Sequence, residues 1–167
     1  MTAQETSNTS KGQKIVTTLW FDDSIEEAAN FYVSVFKNSK IKNMSYYSEA
    51  GPKPAGTVLT VTFELDGQEF MALNGGPAFN FTPAISLMVK CDTQEEVDHL
   101  WDTLIEGGRA DQCGWLQDKY GLSWQIIPNA LSEMMSDKDP VKVKKIMEAM
   151  LQMVKLDINV LKEAFNS

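Results

Sequence analysis

The sequence predicts an α+β protein made of two copies of one β-α-β-β-β module, followed by helices. The first observation is an internal repeat, in which the strand and helix signals of 18–32 resemble those of 86–101. The second is a hairpin signal, Asp66-Gly67, between two strand-like stretches. The third is a change of character after Pro128, where only helix signals remain.

The domain organisation follows from this repeat. Residues 1–13 are small or polar and predict a disordered tail. Residues 14–128 form the double module, with the first copy at 14–76 and the second at 83–128, joined by a loop rich in Gly and Pro. Residues 129–167 form a C-terminal helical extension.

Each module helix is predicted to begin with a capping box. The hydroxyl N-caps are Ser24 and Thr93, and a glutamate follows three residues later in each copy, Glu27 and Glu96. This arrangement satisfies two backbone donors that have no partner within the helix. Apolar residues then recur at helical spacing, which gives each helix one buried face. In the second copy, Gly107-Gly108 is typical of a helix end.

Strand signals follow each helix. Their predicted bounds are about 40–47, 57–65 and 68–74 in the first copy and about 110–112, 114–118 and 122–127 in the second. If the last hairpin closes around Lys119-Tyr120, then Trp115 and Trp124 form a cross-strand pair.

The extension carries three helix signals. One helix is predicted at about 129–136, a second starts at Pro140 after the N-cap Asp139, and a third is capped by Asp157 and runs to Phe165. We interpret an apolar stripe on the middle helix as core packing, and its members are Val143, Ile146, Met147, Met150, Leu151 and Val154. We expect the extension to cover an exposed sheet face or a partner subunit.

Composition restricts the class of protein. The 167 residues include 23 acidic and 15 basic side chains, a net charge of −8, and no apolar run approaches the ~18 residues of a membrane span. We therefore expect neither a nucleic-acid nor a membrane partner. No signal-peptide core precedes the modules, and Cys91 and Cys113 have no partners at metal or redox spacing. A cytoplasmic protein with reduced thiols is expected.

Several motifs carry a resemblance to a known family. They are Leu19-Trp20-Phe21-Asp22, Asn30-Phe31-Tyr32, Leu73-Asn74-Gly75-Gly76-Pro77, Cys113-Gly114-Trp115-Leu116 and Gly121-Leu122-Ser123-Trp124-Gln125. Over about residues 14–165 the chain resembles the vicinal oxygen chelate superfamily, which includes glyoxalase I, extradiol dioxygenases and antibiotic-sequestering proteins. It most resembles the PhnB-like branch, often described as 3-demethylubiquinone-9 3-methyltransferase. The resemblance implies a glyoxalase-like fold, in which two sheets form an open-barrel cleft.

The resemblance also bears on cofactors, because enzymes of this superfamily usually hold a divalent metal with four inward-facing residues. Those positions fall on Val16 or Thr17, Ala72, Ala84 and Gln125. Of these, only Gln125 offers a donor of any strength, and one neutral amide does not hold a catalytic divalent ion. No cofactor is predicted, and a divalent metal is disfavoured.

Strand alternation assigns a ligand pocket to the faces that line the cleft. Its predicted lining is mostly apolar and aromatic with a few neutral polar groups, and comprises Thr18, Trp20, Phe70, Asn74, Ser86 and Gln125. Such a lining suits a small, largely neutral or aromatic molecule. Trp20 would stack on it, and Asn74 and Gln125 would orient its polar substituents. The structural alternatives are that Trp20 belongs to the core and that Asn74 is a turn residue.

Three functions stay open from the sequence. The first is a metal-independent protein that binds a small molecule. The second is an enzyme of the superfamily, either a lyase, isomerase or dioxygenase or the 3-demethylubiquinone 3-methyltransferase of the family description. The third is a structural or interaction protein, and we expect a homodimer. No catalytic residues are assigned, because the only histidine, His99, lies on a predicted helix surface.

Overall fold

The computed structural model of the protein describes residues 12–167. The predicted disordered tail therefore lies outside the described residues, except for Gly12 and Gln13. The side-chain amide of Gln13 forms paired hydrogen bonds with the backbone of Glu69, at 3.0 and 3.1 Å. The chain divides into two compact units, of which the first ends at Ala78 and the second runs from Phe79 to Ser167.

The first unit is a β-α-β-β-β module, as predicted. Its elements are β1 (Thr17–Phe21), α1 (Ile25–Val35), β2 (Lys40–Tyr46), β3 (Val58–Leu65) and β4 (Gln68–Asn74). The strands form one sheet in the order β1-β4-β3-β2, in which β1 runs parallel to β4 and the other pairs are antiparallel. The bounds of β2, β3 and β4 lie within one residue of the predicted ones.

The predicted hairpin at Asp66-Gly67 is confirmed. Leu65 pairs with Gln68, so the connection has two residues, and both have positive φ, 47° at Asp66 and 77° at Gly67. These are the angles of a type I′ turn, whose twist matches that of the flanking strands.

One face of the first sheet is covered by α1. Tyr32 on the helix stacks on Phe63 of β3 with ring centroids 6.3 Å apart, and Phe63 stacks on Phe70 of β4 at 5.8 Å. All three side chains are buried, together with Ala28 and Ala29 on the same side of the helix. Because burial of apolar surface is the main stabilising term in folding, this face holds the core of the unit.

The capping box predicted at the start of α1 is wrong. Ser24 has a left-handed backbone with φ of 60°, and its side chain makes no capping hydrogen bond. Instead, the backbone N–H of Ser24 donates to Asp23 Oδ1 at 2.9 Å. An N-cap needs an extended backbone to bring its hydroxyl over the first turn, and the left-handed conformation removes that geometry.

The second unit begins with the same module in the same order. Its elements are β5 (Ser86–Cys91), α2 (Gln94–Ile105), β6 (Arg109–Ala110), β7 (Trp115–Gln117) and β8 (Ser123–Pro128), and the sheet order is β5-β8-β7-β6. The capping box is confirmed here, since Thr93 Oγ1 accepts from Glu96 N at 3.2 Å and Glu96 Oε2 accepts from Asp92 N at 2.7 Å. The repeat in the sequence is therefore a repeat in the fold.

The predicted cross-strand pair of Trp115 and Trp124 is wrong. Trp115 pairs with Gln125, and Leu116 pairs with Trp124, so the two indoles lie on opposite faces of the sheet. The turn is one residue longer than predicted, because Asp118 N donates to Leu122 O at 3.0 Å and closes the loop there. A shift of one residue in register reverses the face of every side chain.

The extension folds as three helices, α3 (Asn129–Met135), α4 (Pro140–Leu151) and α5 (Ile158–Asn166). The predicted caps are confirmed, since Asp139 Oδ1 accepts from Val141 N at 2.9 Å and Asp157 Oδ1 accepts from two N–H groups of the first turn of α5. A buried cluster joins the three helices to the end of β8, and its members are Ile127, Leu131, Met134, Ile146, Leu156 and Leu161.

Backbone contacts make the extension an integral part of the second unit. Gly114 N donates to Val154 O at 2.7 Å, and the side chain of Gln94 at the start of α2 accepts from Ile158 N at 2.8 Å. The stripe on α4 is only partly core, because Ile146 is buried whereas Met147 and Leu151 are exposed. None of the helices within residues 12–167 is long and apolar enough to cross a membrane.

The chemical reactivity of the Cys91 thiol reports on the burial of β5 in the second unit. Cys91 is fully buried on β5, and desolvation, with smaller contributions from the charges of Glu96 and Asp92, raises the pKa of the thiol from 9.0 to about 12. Cys113 is half-buried. At pH about 8, we expect a thiol reagent to modify Cys113 alone in the native protein and both cysteines after denaturation. Rapid modification of Cys91 in the native protein would contradict its burial.

Cys91 also sets a pH dependence of stability. Between pH 9.0 and about 12 the folded thiol keeps its proton while the unfolded thiol loses it. The folded state then binds more protons than the unfolded state, so the free energy of unfolding falls as pH rises, by at most about 1.4 kcal/mol per pH unit from this group. A Cys91→Val variant has no such thiol. We expect its stability, measured by urea unfolding at pH 8 to 11, to fall less steeply than that of the wild type.

Candidate functional site

The face of the first sheet opposite α1 carries two of the predicted pocket residues. In the pairing of β1 with β4, Thr18 lies beside Met71, and Trp20 lies beside Leu73. Residues that pair in register share a face of the sheet. Since Leu19 and Phe21 point into the core under α1, Thr18 and Trp20 lie on the other face, where Thr18 is exposed and Trp20 is half-buried.

The other two residues predicted for this face lie on the opposite one. Phe70 pairs with Thr17 and with Phe63, and Asn74 pairs with Phe21, so both belong to the face under α1. The predicted grouping of Phe70 and Asn74 with Thr18 and Trp20 is therefore wrong. The physical reason is that β1 and β4 are parallel strands distant in the chain, so no turn fixes their relative register.

Asn74 stabilises the end of β4 through hydrogen bonds of its side chain and its backbone carbonyl. It is buried, its Oδ1 accepts from Lys53 Nζ, and its Nδ2 donates to Val58 O at 3.0 Å. Its backbone carbonyl accepts from the Tyr47 hydroxyl at 2.6 Å. Lys53 also donates to the carbonyl of Asp22 at 2.8 Å, which ties the connection between β2 and β3 to the end of β1. Both ends of the Asn74 amide are thus occupied within the protein.

Trp20 lies against the glycine pair that follows β4. Its Nε1 donates to Gly76 O at 2.8 Å. A Cβ atom on Gly75 would lie 2.3 Å from two atoms of the indole ring, so only glycine allows the ring to approach the backbone this closely. The ring is held in one orientation with part of its surface accessible, and the motif Asn74-Gly75-Gly76 is the only feature of the sequence that relates to this contact.

The face of the second sheet opposite α2 brings Ser86 and Gln125 together. Ser86 pairs with Ser123 and Met88 pairs with Gln125, whereas Trp124 belongs to the buried face under α2. Gln125 Nε2 donates to Ser86 Oγ at 2.8 Å. We call this face the Gln125 face and define it by Ser86, Met88, Trp115, Gln117, Ser123 and Gln125.

On the Gln125 face, Ser123 Oγ and Gln125 Oε1 accept no hydrogen bond from the part of the chain that the structure describes. Ser123 is only 1% exposed, yet its Oγ has no hydrogen bond within residues 12–167. Gln125 Oε1 likewise accepts no hydrogen bond from the described part of the chain. Sequence reasoning missed Trp115, which flanks Gln125 on β7, because it paired that residue with Trp124. It also missed Arg109 of β6, which borders this face opposite Gln117.

The residues do not fit the divalent metal of the superfamily. In the described chain no group of three His, Cys, Asp or Glu side chains is placed to hold a metal ion. Ala72 and Ala84 occupy two of the positions that the resemblance assigns to ligands, and Gln125 supplies only one neutral amide oxygen. His99 lies exposed on α2. A catalytic divalent ion needs several charged or imidazole donors, which this set does not supply.

Comparison with known proteins supports the assignment of the fold. A family model described as 3-demethylubiquinone-9 3-methyltransferase matches residues 13–127. The PhnB protein of Bacillus cereus is 44% identical over 70% of this chain and 99% of its own, with a TM-score of 0.64. The protein PA1353 of Pseudomonas aeruginosa is 20% identical over 70% of this chain and 97% of its own, with a TM-score of 0.58.

A more distant match shows the fold alone. The fosfomycin resistance protein FosX of Listeria monocytogenes is 14% identical over 76% of this chain and 99% of its own, with a TM-score of 0.55. The comparison with curated proteins gave no match. The family model stops at residue 127, so the helical extension lies beyond it.

Proposed function

The chain belongs to the family described as 3-demethylubiquinone-9 3-methyltransferase, the PhnB-like branch of the vicinal oxygen chelate superfamily, and on this premise we propose that it binds a small, largely neutral molecule without a metal ion. The proposed binding surface is the Gln125 face of the second sheet. The observation that carries the proposal is the hydroxyl of Ser123, which is buried and has no hydrogen-bond partner among residues 12–167.

The unpaired hydroxyl of Ser123 favours a ligand with polar groups. A buried polar group without a partner costs about 1–3 kcal/mol, so native proteins rarely keep one. A ligand atom that bonds to Ser123 Oγ would remove this cost. The free Oε1 of Gln125 offers an acceptor two residues along the same strand, and the bond from Nε2 to Ser86 fixes the orientation of the amide.

The neighbours of Gln125 favour an apolar or aromatic body for the ligand. Met88 and Trp115 pair with Gln125 from the two adjacent strands, and Met88 is 53% exposed. A thioether and an indole provide polarisable, apolar contact surface. A flat molecule with one or two hydroxyl or carbonyl groups matches this combination.

Methyl transfer finds less support in the residues. A nucleotide-type methyl donor is usually held by a Gly-rich turn between a strand and a helix. Here the turn after β1 is Asp22-Asp23-Ser24 and the turn after β5 is Asp92-Thr93, so neither contains glycine. Acidic residues open both helices, where they disfavour an anionic ligand.

The test is ligand binding by protein dialysed against a chelator. We expect simple phenols and aryl ketones to raise the melting temperature without added metal. Gln125→Ala should weaken the binding of the best compound about tenfold, since a hydrogen bond contributes about 1–1.5 kcal/mol. The matched control is Gln112→Ala, an exposed glutamine on the loop before β7.

Ser123→Ala separates binding from folding. Without ligand, we expect this variant to be about as stable as the wild type or more stable, because it removes a buried unpaired hydroxyl. With ligand, we expect weaker binding. Binding that requires added Mn²⁺ or Zn²⁺, or that is unchanged in Gln125→Ala and Ser123→Ala, would contradict the proposal.

A further inference from the structure

The outer face of α4 carries three exposed apolar side chains beside one lysine and one glutamate, and residues 12–167 leave it uncovered. It consists of Val141, Lys144, Met147, Glu148 and Leu151, which fall within about 120° of the helix circumference at ~100° per residue. Val141 is 59% exposed, Met147 44% and Leu151 54%. The opposite side of the helix contributes Ile146 to the buried cluster, so the helix is anchored on one side and open on the other.

The order of side chains on this face is self-complementary. Lys144 and Glu148 form an ion pair of 3.6 Å on the surface, with Met147 beside them and an apolar residue at each end. Position 146 is midway between 144 and 148 and also midway between 141 and 151. A two-fold rotation about an axis perpendicular to the helix at position 146 therefore exchanges the place of Val141 with that of Leu151. It likewise exchanges the place of Lys144 with that of Glu148.

We propose that the outer face of α4 is a dimerisation surface whose partner is a second copy of this chain. The two α4 helices would pack antiparallel about a two-fold axis near Met147. Val141 of one copy would contact Leu151 of the other, and Lys144 of one would face Glu148 of the other. Such an isologous contact uses one patch on both subunits.

Charge selects this arrangement over the alternatives. A parallel pair would set Lys144 against Lys144 and Glu148 against Glu148, and like charges at this distance repel. An overall charge of −8 also repels two copies, so local attraction between opposite charges is needed to bring them together. The antiparallel pair supplies two such contacts, one on each side of the two Met147 side chains.

The proposed surface is separate from the Gln125 face. It lies in the extension, beyond residue 127, where the family model stops. A helix of 12 residues is ~18 Å long, and a pair of such helices buries less than the ~800 Å² per partner of a typical stable interface. We therefore expect a reversible dimer whose population depends on protein concentration.

The first test is sedimentation velocity of the full chain from about 1 µM to about 1 mM. We expect the wild type to shift from monomer to dimer over this range and Met147→Glu/Leu151→Glu to stay monomeric. The matched control is Val160→Glu, which changes an exposed apolar residue of α5 outside the surface and should dimerise as the wild type does. A monomeric wild type at every concentration, or a dimer that persists in Met147→Glu/Leu151→Glu, would overturn the proposal.

The charges provide a rescue test. Lys144→Glu or Glu148→Lys alone should weaken the dimer at least fivefold, because each sets like charges against each other across the axis. The double variant Lys144→Glu/Glu148→Lys should restore it. Failure of the double variant to dimerise better than either single variant would contradict the antiparallel arrangement.

Cross-linking tests the orientation directly. In a Cys113→Ser background, a mixture of Val141→Cys and Leu151→Cys chains should form a disulfide between the two kinds of chain on oxidation. Val141→Cys chains alone should cross-link much less. Equal cross-linking of Val141→Cys chains with themselves would indicate a parallel pair and overturn the proposal.

Discussion

Asp118→Ala is expected to lower the free energy of unfolding by about 3–5 kcal/mol. Asp118 is 3% exposed in the turn between β7 and β8, and its carboxylate accepts hydrogen bonds from several N–H groups around that turn. Oδ1 accepts from Tyr120 N at 2.9 Å and Leu122 N at 3.0 Å, and Oδ2 accepts from Trp124 Nε1 at 2.8 Å. Alanine leaves these donors unpaired in a site with little access to water.

Two further variants make this expectation specific. Asp118→Asn keeps one acceptor oxygen and should give a smaller loss than Asp118→Ala. Asp102→Ala is the matched control, because the Asp102 side chain is 72% exposed and its contact with Lys155 is a surface ion pair worth about 0–1 kcal/mol. Chemical denaturation measures all three. A loss below about 1 kcal/mol in Asp118→Ala would contradict the role of this carboxylate in holding the turn.

Gly108→Ala is expected to lower the free energy of unfolding by about 2–4 kcal/mol. A Cβ atom at this position would lie 2.0 Å from Gln117 O and 2.8 Å from the carbonyl carbon of Asp118. Both are backbone atoms, which cannot move aside as a flexible side chain can. The edge strand β6, which begins at Arg109 and pairs with β7, would therefore separate from the sheet.

The control for Gly108→Ala is Gly12→Ala. No atom of residues 12–167 lies within 4 Å of a Cβ built at Gly12, so its substitution should change stability by less than about 0.5 kcal/mol. Thermal and urea unfolding of both variants measure the difference. Equal stability of Gly108→Ala and Gly12→Ala would contradict the close approach of Gly108 to β7.

Local sequence signals predicted the elements of the fold because they act over a few residues. The hairpin at Asp66-Gly67, the cap at Thr93 and the caps at Asp139 and Asp157 each depend on one backbone conformation or one side chain, and all are confirmed. The cap at Ser24 failed because the left-handed backbone there displaces the hydroxyl. Nothing in the residue types near Ser24 indicates that conformation.

The faces of the strands were harder to predict than their bounds. Phe70 and Asn74 were assigned to the wrong face because β4 pairs with a distant parallel strand. Trp115 and Trp124 were paired wrongly because the side chain of Asp118 bonds to the N–H of Leu122 and lengthens the turn by one residue. In both cases the deciding contact is tertiary or depends on a side chain whose burial is not visible in the sequence.

The grouping of Ser86 with Gln125 was predicted from strand alternation, and the structure places them in hydrogen-bond contact. The unpaired hydroxyl of Ser123 was not predicted, because burial and hydrogen-bond satisfaction are properties of packing. The same holds for the exposure of Met147 and Leu151, since a helical stripe in the sequence does not show which part of it the core leaves uncovered.

Metal-free ligand binding at the Gln125 face is tested most directly by NMR of the full-length, isotopically labelled protein dialysed against a chelator. The ligand is the compound that raises the melting temperature of the protein most. We expect the side-chain amide of Gln125 and the backbone amides of Ser86, Met88 and Ser123 to shift and to saturate without a divalent ion. Shifts confined to the first unit, or shifts that occur only after Mn²⁺ or Zn²⁺ is added, would contradict the proposal.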